Sequence, residues 1–161
     1  MREYKTFGGF ARHLVTVAAQ GAEVEKHILG RATKIVRDDA QARIGTYQAE
    51  TGPFNAWQPL ASSTIADRIN KGFTPNDPLL RSGELRDSIT SQVHGDKAIV
   101  GSSSDIALYQ ELGTATIPPR PFLGPAAFAS KAKIGAMAAN TMVAWVAGGA
   151  WLSPPQSIKL P

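Results

Sequence analysis

The chain has 161 residues, of which 43 % are hydrophobic and 19 % charged, with a formal net charge of +4. This length and composition suit one globular domain, and the mild basic charge permits contact with a polyanion without requiring it. The absence of cysteine excludes disulfides, cysteine nucleophiles and cysteine-ligated zinc. No apolar run reaches the length of a membrane span, and no signal peptide is evident at the N-terminus.

The first predicted element is one long helix over residues 10–44, which follows a flexible N-terminus at residues 1–9. Apolar residues recur at helical spacing from Phe10 to Ile35 and form an amphipathic stripe. At 1.5 Å per residue the helix is about 50 Å long, more than a small domain can cover. Two interpretations stay open: part of the stripe packs against another subunit, or the helix bends over its own sheet.

A connector follows the long helix at residues 45–62, and Trp57 within it is most simply a core anchor. Ser62 or Ser63 can cap a short helix that runs through Asn70. After a polar loop at residues 71–78, Ser82-Gly83 opens another short helix or turn. There Leu85, a second core anchor, shares a face with Ile89.

The clearest sheet signal begins at Ile89, where apolar and polar residues alternate through Val93. Gly95-Asp96 has glycine first, as a type II′ hairpin turn requires, and the alternation continues on a return strand through Val100. We expect a third strand over residues 106–112.

The segment 117–124 contains three prolines, at positions 118, 119 and 121. Proline fixes φ, removes a donor and disfavours helix in the preceding residue, so this is a rigid extended loop. It carries one guanidinium, Arg120, and we expect Phe122 and Leu123 to anchor it in the core. Alternatively, the loop is no more than a stiff connector. Pro125 then suits the first turn of a second long helix that ends near Val146.

These elements predict an α+β fold, in which the long N-terminal helix and the C-terminal helix pack on one face of a small antiparallel sheet. We expect a single domain over residues 1–161, with an α+β body at 10–149 and an extended tail at 150–161. His13 and His27 lie about 21 Å apart along one helix and cannot share a metal. No metal-binding, phosphate-loop or Ser-His-Asp pattern occurs, so we expect neither an enzyme nor a cofactor.

Four segments, in this order, resemble the tail-completion or neck proteins of tailed phages, also called virion morphogenesis proteins. They cover roughly residues 57–126. They are Trp57-Gln58-Pro59-Leu60 with Thr64 and Arg68, Leu79-Leu80-Arg81-Ser82-Gly83-Glu84-Leu85-Arg86-Asp87-Ser88-Ile89, Ile99-Val100-Gly101-Ser102, and Gln110-Glu111-Leu112-Gly113-Thr114 with Pro119-Arg120-Pro121-Phe122-Leu123-Gly124-Pro125-Ala126.

The resemblance implies a structural virion protein that forms a ring, of hexameric order, at the neck or the head-proximal end of the tail. The partners it implies are connector, adaptor or stopper proteins and the tail tube protein, with DNA passing non-specifically through the lumen and no membrane. It would reside in the virion, and in the host cytoplasm during assembly. The alternative function is a small basic nucleic-acid-binding protein.

The interface residues that follow from this hypothesis lie in the rigid loop and the tail. Arg120, held between Pro119 and Pro121, would pair with a carboxylate, either on a neighbouring chain or on Glu111 of its own chain. Trp151, in the apolar, proline-rich tail, would dock on another chain.

Overall fold

A long helix, a β-hairpin and a second long helix dominate the computed structural model, which describes residues 3–152. The elements in chain order are α1 (Phe7–Arg43), α2 (Ser62–Asn70), α3 (Glu84–Asp87), β1 (Ile89–His94), β2 (Lys97–Ser102), α4 (Asp105–Leu112) and α5 (Leu123–Val146). The two strands form an antiparallel sheet against which α1 packs. The predicted α+β class is confirmed.

Helix α1 begins at Phe7, three residues earlier than predicted, because Thr6 supplies an N-cap. The Thr6 hydroxyl oxygen accepts a hydrogen bond from the Gly9 amide at 3.1 Å. The ring of Tyr4 also packs against Phe10, with 5.4 Å between centroids. The predicted flexible N-terminus therefore overlaps ordered structure from Tyr4 onward.

The β-hairpin has the predicted register and turn. Ile89 pairs with Ser102 and His94 pairs with Lys97, which leaves Gly95-Asp96 as a two-residue turn. Gly95 has φ +58°, the left-handed value that a type II′ turn needs at its first central position.

The third strand predicted over residues 106–112 is wrong, because Asp105–Leu112 is helix α4. The alternation of Ile106, Leu108 and Leu112 resembled a strand, yet these three side chains are 55–70 % exposed while Ala107 is buried. Asp105 lies in the first turn of α4, where a carboxylate favours the positive end of the helix dipole.

The core lies where the C-terminal end of α1, the hairpin and the start of α5 meet. Its buried members are Ala40, Ile44, Trp57, Leu85, Ile89, Ala107, Phe122 and Ala126. Leu123 is partly buried against this cluster. Helix α2 spans the predicted residues, but its N-cap is Ala61, and neither Ser62 nor Ser63 supplies a side-chain cap.

The first half of α1 pairs in antiparallel fashion with the last half of α5. Trp145 lies over Gly21, and His13 Nε2 is 2.8 Å from the carbonyl oxygen of Val146, the last residue of α5. We call this helix pair, residues 7–22 of α1 and 134–146 of α5, the arm. Helix α5 thus covers the first half of α1, while the hairpin packs against its C-terminal part, where Gln41 Nε2 donates to the Ile89 carbonyl at 3.2 Å.

Candidate interaction site

The rigid proline loop joins α4 to α5. We call residues 117–125, which include the first three residues of α5, the proline junction. It is fixed at its start by main-chain hydrogen bonds: Thr114 N donates to Ile117 O at 2.9 Å, and Arg120 N donates to Gln110 O at 2.7 Å. The second of these bonds ties the junction to α4, which ends at Leu112.

Glu111, on α4, caps the N-terminus of α5 from outside that helix. Its Oε2 accepts hydrogen bonds from the amides of Phe122 at 2.8 Å and Leu123 at 3.0 Å, and its Oε1 accepts one from Gly124 at 2.7 Å. The first amides of a helix have no partner within the helix, and the N-cap residue Phe122 makes no side-chain cap of its own. One carboxylate thus satisfies three donors at the positive end of the helix dipole.

Gly124 is required by the close packing around this cap. A Cβ atom at Gly124 would lie 2.7 Å from the ring of Phe54 and 3.3 Å from Glu111 Oε1. Any side chain would push either the ring or the carboxylate away. Glu111 and the segment Phe122-Leu123-Gly124 therefore form one structural unit.

Arg120 lies inside its own chain, with 6 % of its surface exposed. Its Nη2 donates to the main-chain carbonyls of Gln58 at 3.0 Å and Pro59 at 3.1 Å. Burial lowers the pKa of this guanidinium from its ordinary value. The anticipated pair with Glu111 does not form, because that carboxylate is occupied by the α5 amides. In the monomer Arg120 fastens the junction to the segment that contains Trp57.

Trp57 joins this segment to the junction a second time, because its Nε1 donates to the Pro121 carbonyl at 3.0 Å. Arg68, which is 5 % exposed, works in a similar way further along, with Nη1 donating to the carbonyls of Thr74 at 3.1 Å and Leu80 at 2.8 Å. Segments that are far apart in sequence are therefore joined by buried donors and main-chain carbonyls.

A groove of about 1010 Å³ opens beside the junction, between α2, the loop before α3, and α4. Its lining includes Leu60, Leu79, Ile106, Gln110, Ile117 and Arg120. Two polar atoms of its lining residues, Gln110 Oε1 and Arg120 Nε, are buried without a hydrogen-bond partner in residues 3–152.

Trp151, the interface residue expected in the tail, packs on its own chain as far as the structure describes it. Its ring lies edge-on to that of His27, with 5.6 Å between centroids. The rest of the predicted tail, residues 153–161, lies outside the described residues.

Residues 3–152 show neither a cluster of metal-ligating side chains nor a membrane-spanning helix. Within that range no three His, Cys, Asp or Glu residues are placed to hold a metal ion. The same range contains no helix with the length and apolar character of a membrane span.

The chain is a member of the phage virion morphogenesis family, which matches residues 10–140. The resemblance to that family is thereby confirmed.

Among curated relatives, the "Putative capsid assembly protein G" of Escherichia phage Mu is 35 % identical over 80 residues. That alignment covers 49 % of this chain and 51 % of the Mu protein, so it spans about half the length of that relative. The Mu-like prophage FluMu G protein 1 of Haemophilus influenzae is 28 % identical over 105 residues, or 65 % of this chain and 68 % of the relative. No solved structure matches the chain.

Proposed function

We propose that this protein is a structural virion component that forms a homo-oligomeric ring at the neck or head-proximal end of the tail. In this role it completes the tail and joins it to the head without catalysing a reaction. Its neighbours are a connector or stopper protein on one side and the tail tube protein on the other, and DNA passes through the lumen. Membership of the virion morphogenesis family supports the assembly role.

The observation that favours self-association is the apolar surface of the arm. Residues 134–152 contain no charged residue, and residues 7–22 contain one, Arg12. Large apolar side chains nevertheless remain exposed on both helices of the arm: Phe7 84 %, Leu14 49 %, Val15 70 %, Met142 50 %, Val143 69 % and Val146 55 %. Exposed apolar surface is typical of protein interaction sites, and this supports self-association through the arm.

A ring needs one surface of each copy to contact a different surface of the next copy. The arm is suited to be one of these surfaces because its two helices pack against each other. This packing fixes the backbone that carries the outer side chains. Little conformational entropy is then lost on docking. The junction contributes by holding α5 rigidly to the rest of the fold.

The test compares two glutamate substitutions at helix positions of similar exposure. Val143→Glu places a charge on the arm, whereas Ile69→Glu, at a 58 % exposed site on α2, is the matched control. We expect both variants to keep the wild-type melting temperature within a few degrees, since neither side chain is buried in the monomer.

Val143→Glu should abolish assembly into particles, measured by complementation and by cryo-electron microscopy of the neck, while Ile69→Glu should assemble normally. If particles carrying Val143→Glu assemble normally, the arm is not part of the interface. Density for a single copy, or none, at the neck would overturn the ring.

A further inference from the structure

We propose that the groove beside the proline junction binds residues 153–161 of a neighbouring copy of this chain. This inference rests on the proposed function in that it requires copies to meet. It concerns a different surface from the arm and can fail independently of the ring.

The groove wall has the donor and acceptor chemistry that recognises an extended main chain. Arg120 Nε is a buried donor and Gln110 Oε1 a buried acceptor, and neither has a partner in the part of the chain that the structure describes. A buried polar atom without a partner destabilises the fold, so a ligand that supplies the partner is bound more tightly. An extended peptide offers alternating carbonyl acceptors and amide donors at its edge, so it supplies an acceptor for Arg120 Nε and a donor for Gln110 Oε1.

Apolar side chains around the groove suit a segment with aliphatic residues. Ile106 is 56 % exposed, and Leu60, Leu79 and Ile117 are half-buried around the same opening. The segment 153–161 carries Ile158 and Leu160 as its aliphatic residues.

Proline makes this segment a suitable ligand. Residues 154, 155 and 161 are prolines, which favour extended backbone and leave carbonyls available for an outside donor. Its single charged residue is Lys159, so it brings no buried carboxylate that would need an ion pair. We therefore expect apolar contacts, together with one or two main-chain hydrogen bonds, to hold the segment in the groove.

The reach of the segment indicates that it comes from a neighbour. Trp151 packs on His27, whereas Gly45 at the other end of α1 donates its amide to Pro78 O at 2.8 Å, and Pro78 is followed in the chain by Leu79 of the groove wall. His27 and Gly45 are about 27 Å apart along the helix direction. Nine extended residues span about 28 Å, so within one chain the segment would be used up in reaching the near edge of the groove.

Cysteine cross-linking tests the contact, because the full chain contains no cysteine of its own. One sample carries Ile158→Cys, another carries Ile106→Cys in the groove, and the two full-length proteins are mixed under assembly conditions. The matched control replaces the groove cysteine with Ile99→Cys, at a similarly exposed site of 59 % on β2. We expect a disulfide-linked pair between positions 106 and 158 at several-fold the yield of the pair between 99 and 158.

Gln110→Leu supplies the chemical test of the groove. It removes an unsatisfied buried acceptor, so the melting temperature should stay the same or rise, while the 106–158 cross-link should fall several-fold. In parallel, a fluorescein-labelled peptide of residues 153–161 should bind the full chain saturably and bind Gln110→Leu more weakly.

Equal cross-linking at positions 99 and 106 would overturn the proposal, as would the absence of both cross-link and peptide binding. A double variant, Ile106→Cys with Ile158→Cys, that forms its disulfide only within one chain would also overturn it. Mass photometry of the same samples separates the two hypotheses. A ring without the 106–158 link refutes the groove contact alone, and a linked dimer that never closes refutes the ring alone.

Discussion

Replacing Glu111 with alanine should lower the free energy of unfolding by about 3–4 kcal/mol. The carboxylate accepts three amides at 2.7–3.0 Å at the start of α5. Each hydrogen bond to a charged group contributes about 1.5–3 kcal/mol when its loss leaves a covered donor unpaired. The three bonds share one carboxylate and water can replace part of the loss, so the sum falls well below three full contributions.

For a domain of this size the loss corresponds to a decrease of about 10 °C in melting temperature. Glu111→Gln keeps one acceptor oxygen and should lose about half as much. Glu50→Ala, at an exposed glutamate of the connector, is the matched control and should melt as the wild type does. The measurement is thermal unfolding followed by far-ultraviolet circular dichroism at neutral pH. If Glu111→Ala melts within a degree or so of Glu50→Ala, the carboxylate does not cap α5 and the reasoning is wrong.

Arg120→Ala should destabilise the fold by about 1.5–3 kcal/mol, because it leaves two main-chain carbonyls without their donor, and chemical denaturation of the purified chain measures this loss. If Arg120→Ala unfolds as the wild type does, the guanidinium does not stabilise the monomer and Arg120 is an interface residue alone. Phe122→Ala, at a fully buried ring, should cost more, about 3–5 kcal/mol in the same assay, and a smaller loss than that of Arg120→Ala would contradict the core assignment. The pKa of Asp67 is lowered, first by the hydrogen bond from Lys71 and further by Arg81. The Asp67 carboxylate therefore stabilises the fold at any pH above the unfolded pKa of about 3.9. This stabilisation is lost as the pH falls through the folded pKa. Asp67→Asn should therefore flatten the acid limb of a melting-temperature profile, and an unchanged slope would exclude this cause.

Local patterns in the sequence were enough to predict the hairpin and the two long helices. The hairpin depends on strand alternation and on Gly95 at a position that needs positive φ, and both features are contained within a dozen residues. The long helices depend on repeated apolar spacing. Helix α4 was missed because its residues alternate like a strand, and eight residues are too few to separate the two periods.

The environment of the junction could be predicted only in part, since its contacts join distant segments. The prolines correctly indicated rigidity, but nothing near Arg120 showed that the carbonyls of Gln58 and Pro59 would turn toward it. One signal for Glu111 was available. The start of α5 lacks a Ser, Thr, Asp or Asn at its N-cap, so its free amides needed an acceptor from elsewhere in the chain.

The arm also acts as a lever. Both of its helices continue into the core region without a break, so a load at the free end is carried along about 24 Å of α1 and about 20 Å of α5. A tilt of about 10° at the base then moves the end by about 4 Å, roughly the diameter of a methyl group. A shift of a few ångströms at the end of the arm therefore corresponds to a rotation of several degrees at its base.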